Sequence, residues 1–304
     1  LIIDMRIFVT GATGFLGAHI ANVCIDKGHE VLCLKRNLSR SLFRPEIEKK
    51  LKWVNSDIQG WESDVFTFQP DILIHAAWSG VSSLDRNGRE IQRRNIELAT
   101  ALLKIYPYKQ VIMLGSQDEY GRLDSLVDEK HDLYPVTEYG KAKIECSVLL
   151  MDYCEKNNID WQWIRVFSIF GELQNENWLI PSIIRKCISG DTEMNATPAE
   201  QIYSYLYSLD FAEAIESMLG VRNKSGVYNL SSNQPILLKD IFLKIKEFTA
   251  SSIRFNFGAL PYRNGQSMYI MSDSQKFIDA FGPFQRTGFE IGLLRTIEYI
   301  KGKR

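Results

Sequence analysis

The segment Val9-Thr10-Gly11-Ala12-Thr13-Gly14-Phe15-Leu16-Gly17 sets three glycines three residues apart, between a β-rich run and a helical pattern. Upstream, Arg6–Thr10 is short and β-rich, as a buried strand should be. From Phe15 onward apolar residues recur at helical spacing until Gly28, a natural stop for a helix, and residues 30–34 read as a second strand. A glycine turn at the first junction of a strand–helix–strand unit constrains this chain more than any other feature. Gly11 permits the tight turn, Gly14 lets a pyrophosphate approach the backbone, and Gly17 lets helix and strand pack closely. The helix start adds amide donors and the positive end of its dipole. Thr10, Gly11, Thr13, Gly14, Phe15, Leu16 and Gly17 are therefore the expected lining of a dinucleotide site.

The alternation continues. Residues 52–55, 72–75, 110–115 and 161–166 read as further strands, with helical stretches between them, clearest at 95–105 and 141–157. Near-continuous apolar strands separated by helices predict a parallel sheet covered on both faces, an α/β doubly wound sheet of Rossmann type. Beyond Gly171 the pattern turns irregular: helical at 181–190, extended at 201–210, helical at 211–220, a short strand at 227–230, then helices at 238–249 and 291–301. The expected organisation is a dinucleotide-binding domain over 1–171. A smaller mixed α/β substrate lobe follows over 172–304, with segments around 203–230 returning to the first domain.

Other classes recede on composition. Lys and Arg total 36 against 37 Asp and Glu, with no long basic run, so neither nucleic acid nor an anionic membrane is the expected partner. No apolar stretch is long enough to span a bilayer, and the apolar start at residues 1–3 is too short for a signal peptide. The five cysteines show no paired ligand spacing and are expected as small buried thiols in a reducing cytoplasm. No metal site is expected.

At the end of the second strand stand Lys35, Arg36 and Asn37, without an acid in the adjacent sequence. An acid there would grip a ribose 2′-hydroxyl, whereas an arginine accommodates a 2′-phosphate, so NADP(H) is favoured, with NAD(H) the alternative. Asp57 and Ile58 follow the third strand, placed to border an adenine. His75, Ala76 and Ala77 end the fourth, where small residues let the backbone pass close to a cofactor.

Tyr139 and Lys143 lie four residues apart and share one face of a helix. A free tyrosine, with a pKa of about 10, is a poor acid–base group near neutrality, and an adjacent ammonium is expected to lower it. Ser116 closes the fifth strand, where side chains reach the crevice at the carboxyl edge of the sheet.

With these residues in place the chain resembles an extended short-chain dehydrogenase/reductase of the NAD-dependent epimerase/dehydratase family, which modifies nucleotide sugars. The resemblance rests on the glycine turn, on Ser116 with Tyr139 and Lys143, on Asn95 in Asn95-Ile96-Glu97-Leu98-Ala99-Thr100, and on Arg165-Val166-Phe167-Ser168-Ile169-Phe170-Gly171. Val227-Tyr228-Asn229-Leu230 and Leu260-Pro261-Tyr262-Arg263-Asn264-Gly265 complete it. It implies that Tyr139 is the acid/base, Lys143 its activator and ribose ligand, and Ser116 a substrate hydrogen-bond donor, and it adds Asn95 and Val166 to the cofactor set. It also implies substrate contacts at Gln117, Asp118, Ser168, Leu179, Arg185 and Arg263, and a homodimer formed through the helices at 95–105 and 139–157.

Dehydratases of the family carry an Asp–Glu pair after the residue matching Ser116; here Gln117 and Asp118 stand there, and an amide cannot be a general acid. The Lys35-Arg36 pair favours a cofactor that binds, delivers hydride and leaves. The expected activity is an NADPH-dependent reductase of a nucleotide-activated 4-keto-6-deoxy sugar. The alternatives are a 4-epimerase with tightly bound NAD and a non-catalytic dinucleotide sensor. One departure stands out: relatives show Gln-x-Arg-Asp where this chain has Gln201-Ile202-Tyr203-Ser204, which shifts the diphosphate contact toward Arg263 or Arg185.

Overall fold

Strands that are apolar on both faces need cover on both sides. In the computed structural model, which describes residues 4–37, 42–43, 45–82 and 84–302, they have it. The apolar residues 1–3 lie outside the described residues. The main sheet is built from β1 (Arg6–Thr10), β2 (Glu30–Lys35), β3 (Lys52–Asn55), β4 (Ile72–His75), β5 (Gln110–Leu114), β6 (Asp160–Val166) and β10 (Gly226–Leu230). Its order is β10-β6-β5-β4-β1-β2-β3, and every pairing is parallel. Consecutive β1 residues pack into opposite faces, Ile7 and Val9 with α1 (Phe15–Asp26) and α7 (Ser208–Glu216), Phe8 with α4 (Arg89–Ile105) and α5 (Glu138–Lys156). The strand order reverses between β1 and β4. Ligands of such sheets bind at that crevice, beyond the carboxyl ends of the strands.

The remaining elements form a second layer with its own core. β7 (Ser168–Phe170), β9 (Ile202–Tyr207), β11 (Pro235–Leu237) and β13 (Tyr269–Ile270) make a small mixed sheet. β8 (Glu193–Ala196) pairs with β12 (Arg254–Phe257). α6 (Leu179–Ser189), α8 (Leu238–Phe248) and α10 (Phe289–Gly302) cover these strands. β10 lies beside β6 in the main sheet although the lobe's first strands precede it in sequence. α2 (Pro45–Glu48), α3 (Glu62–Phe68) and α9 (Gln275–Phe281) complete the element order.

Several boundaries differ from the periodicity reading. α4 begins at Arg89 and α5 at Glu138, about one turn or more before the apolar pattern starts, because their first turns carry charged residues such as Arg89, Glu90 and Lys141 in exposed ion pairs. The extended run expected at 201–210 ends at Tyr207. Helix α7 starts at Ser208, which is buried against Gly171. Among the described residues no helix is long and apolar enough to cross a membrane.

Candidate active site

The glycine turn is shaped by close approach. Gly11 has φ +77°, and a Cβ there would meet Ala77 N at 2.6 Å. A Cβ on Gly17 would stand 2.2 Å from Gly11 O. Gly14 caps α1 without a side-chain hydrogen bond, so amides of the first turn remain available. Thr13, Phe15 and Leu16 complete the turn and the first helical residues. The Thr10 hydroxyl bonds His75 Nδ1 at 2.7 Å and accepts from Ala77 N, tying the β1 and β4 ends together. This cradle of uncapped amides beside the backbone of Ala76 and Ala77 fits the diphosphate of a dinucleotide. His75 is fully buried, its pKa pushed down to about 3 by burial and by the Lys143 charge, so it is a neutral imidazole. Its Nε2 has no hydrogen-bond partner among the described residues.

At the end of β2, Lys35 lies over the Trp53 ring, with Arg36 exposed beside it. The acid missing from the adjacent sequence arrives from β3: Asn37 N donates to Asp57 Oδ2 at 2.7 Å. The pairing of β2 with β3 brings this residue, twenty positions downstream, to the β2 end. Ile58 is exposed next to it. Asn95 uses its amide on Ser79, accepting from Ser79 N and donating to Ser79 O, both at 2.9 Å. It fastens the loop after β4 instead of presenting free donors. Val166 ends β6, half-buried.

The three expected catalytic side chains converge at the β5 edge. Thr137 caps α5 by accepting from Gly140 N, which sets Tyr139 and Lys143 on the first two turns, both buried. Gly140 allows this: a Cβ would lie 2.5 Å from Asp118 O. Ser116 lies beside the Tyr139 phenol and favours its ionised form. Lys143 Nζ donates to Leu114 O at 2.7 Å and sits 3.4 Å from the Trp78 ring centroid, but 5.6 Å from that of Tyr139. The expected lowering of the tyrosine pKa by this ammonium is not what the geometry produces. Burial dominates and raises the phenol, with Ser116 and the Arg86 charge pulling against it. Lys143 is itself pushed down to about 7 by burial, with Cys146 and Glu119 opposing.

Beyond Ser116 the charges are tightly assigned. Asp118 Oδ2 receives Arg86 Nη1 at 2.6 Å, and burial raises its carboxyl even so. Gln117 Oε1 is buried with no hydrogen-bond partner among the described residues. Glu119 is fully buried: it accepts from Ser116 N at 2.8 Å, from Trp163 Nε1, and from Arg165 Nε at 2.7 Å. Sequence reading passed over Arg86, Trp78 and Glu119. Only Glu119 left a signal, since Ser116 and Glu119 stand in capping-box spacing and form that box.

Of the expected substrate contacts, Ser168 opens β7 and Leu179 opens α6, both half-buried. Arg185 is paired with Glu176 on the outer face of α6. Arg263 is exposed, near enough to Tyr203 to draw that phenol's pKa down against burial, which holds it at about 12. All five cysteines are buried free thiols. Among the described residues no group of three His, Cys, Asp or Glu side chains could hold a metal ion.

The chain as a whole has relatives among known proteins. The chain is 27% identical over 273 residues to a CDP-abequose synthase of Salmonella muenchen, covering 88% of each chain. It is 22% identical to a dTDP-6-deoxy-L-talose 4-dehydrogenase (NAD(+)) of Aggregatibacter actinomycetemcomitans, over 88% of this chain and 98% of that one. In fold it is similar to a UDP-N-acetylglucosamine 4-epimerase from Methanobrevibacter ruminantium M1, with a TM-score of 0.88, 23% identity and 99% of each chain covered. The model of the NAD dependent epimerase/dehydratase family matches residues 7–231, a span that runs from β1 through β10. The chain is an enzyme of the NAD dependent epimerase/dehydratase family.

Proposed function

We propose that this enzyme reduces a nucleotide-activated 4-keto-6-deoxy sugar with NADPH, Tyr139 supplying the proton. The observation that carries the reading is the charge arrangement around Ser116: a buried, protonated phenol at Tyr139, an amide at Gln117, and a carboxyl at Asp118 engaged by Arg86. Dehydration calls for an acid to protonate a departing hydroxyl and a base for the neighbouring carbon. Gln117 cannot be the first, and Asp118 is engaged by its ion pair. Reduction asks only for hydride and one proton.

When bound, the nicotinamide supplies the hydride. Ser116 donates its hydroxyl hydrogen to the substrate oxygen and orients the carbonyl. Tyr139, kept neutral by burial, donates its phenolic proton to the forming alkoxide. Lys143, with a pKa near neutrality, would hold the nicotinamide ribose beside Tyr139. Lys35 and Arg36 would hold the 2′-phosphate, Gln117, Ser168 and Leu179 the sugar nucleotide, and Arg263 its diphosphate. Arg263 is favoured over Arg185, which is already paired. The relative named as a 4-dehydrogenase of a dTDP-6-deoxy sugar supports redox chemistry at the same sugar carbon. The reading extends to a homodimer through α4 and α5, supported by exposed Val148, Leu149 and Met151 on α5.

One observation favours the 4-epimerase with held NAD: Asp57 brings a carboxylate to the β2 end, where it disfavours a 2′-phosphate. The test is incubation with NADPH, or separately NADH, and a panel of nucleotide 4-keto-6-deoxy sugars, following absorbance of the reduced cofactor. Stoichiometric loss of NADPH with a reduced sugar is expected. Tyr139→Phe should lower kcat about 10²–10⁴-fold while NADPH still binds. No net consumption, with NAD released on denaturation and sugar isomers interconverting, would replace the reductase reading by the epimerase.

A further inference from the structure

Arg86 lies in the loop before α4, far in sequence from the Ser116, Tyr139 and Lys143 set, yet its atoms bind three parts of the proton-transfer site. Its carbonyl accepts from Tyr139 N at 2.9 Å, its Nη1 donates to Asp118 Oδ2 at 2.6 Å, and its guanidinium carbon lies 5.3 Å from the Tyr139 ring centroid. Nε donates to Val81 O at 2.9 Å, which leaves the head group little freedom. The neighbouring Asn87 side chain accepts from Glu138 N, so this loop is fastened to the start of α5. The pair is mostly buried, with 30% of the Arg86 side chain and 14% of the Asp118 side chain exposed.

We propose that Arg86 is a positioning residue for proton transfer: joined to Asp118 and laid across Tyr139, it holds the ring and cancels the carboxylate that the phenol would otherwise face. The proposal rests on the reading of Tyr139 as proton donor. The other groups around the phenol are Ser116 and Glu119 from the β5 end, Trp78 from the β4 end and Lys143 on its own helix. Glu119, although paired with Arg165, opposes the phenolate in the same sense as Asp118 and ranks after it. Arg86 and Asp118 act on the phenol with opposite sign, the guanidinium favouring the phenolate and the carboxylate opposing it. A merely structural ion pair would give both partners the same effect when removed. An electrostatic one gives opposite effects.

The test is the ultraviolet titration of Tyr139, taken as the difference between each protein and its Tyr139→Phe counterpart, with the alkaline limb of the kcat profile alongside. Arg86→Met should move the titration up by roughly one pH unit, and Asp118→Asn should move it down by a similar amount. The double variant should return near the wild type, and Arg86→Lys should stay there. Shifts of Arg86→Met and Asp118→Asn in the same direction, or no shift in either, would overturn the proposal. Should Arg86→Met fail to fold, Asp118→Asn decides by itself: a downward shift supports the proposal and an unmoved titration refutes it. The titration needs no substrate, so a protein that turns over no keto sugar fails the functional reading while this measurement still decides the role of Arg86.

Discussion

Lys143 holds a cation where water cannot solvate it. Its partners are one carbonyl and the faces of Trp78 and, farther off, Tyr139 and Trp163. That is too little to replace a hydration shell, and its pKa falls to about 7 from 10.5. The folded-state value lies below the unfolded one, so the unfolded chain binds the extra proton above pH 7. The cofactor-free protein should therefore gain stability as pH rises, by up to about 1.4 kcal/mol per pH unit. Above about pH 8.5 the buried thiols, all shifted upward, work against it because they ionise first in the unfolded chain. Thermal melts from pH 7 to 8.5 should show this slope in the wild type and a flatter one in Lys143→Met; equal slopes would refute the assignment. The four-residue spacing of Tyr139 and Lys143 was legible in the sequence, but the sign of the tyrosine shift was not. Spacing says who is near, whereas the shift depends on how much water is removed.

At the level of elements, the critical joint is where α1 leaves β1. Its closeness comes from absent side chains: Gly17 faces Gly11 O, and Gly11 faces the backbone of Ala76 and Ala77. Gly17→Ala would place a methyl 2.2 Å from a carbonyl oxygen, so α1 must shift from the turn. A loss of about 1–3 kcal/mol in urea unfolding is expected, with at least tenfold weaker NADPH binding by fluorescence titration. Unchanged binding would separate the cradle from the cofactor. This joint was readable because its residues are contiguous. α4 was read too short, since its first turns carry Arg89, Glu90, Arg93 and Arg94 and show no apolar face, while Gln92 and Asn95 are buried for polar work on the loop after β4. A pattern search that follows only apolar residues passes over such a turn.

For the whole molecule, α4 and α5 pack side by side on one face of the sheet, and α5 leaves Val148 51% exposed beside Leu149 and Met151. If this face joins two copies, sedimentation of the wild type should give a dimer and Val148→Glu a monomer, because a charge inside an apolar interface lacks a partner. A monomeric wild type would remove the dimer from the reading. The sequence by itself determined what depends on neighbours along the chain: the parallel strand–helix alternation, the glycine turn, and the Tyr139–Lys143 face at the fifth strand's edge. Only the tertiary structure decided the charge that each group faces. It drew Asp57 to Asn37, Arg86 to Asp118 and Arg165 to Glu119, and it buried Tyr139 and Lys143. The physical reason is range: helix and strand periodicity are set within a few residues, whereas electrostatic environment is set by distance through space and by lost solvation, which strand pairing and loop packing create between distant segments.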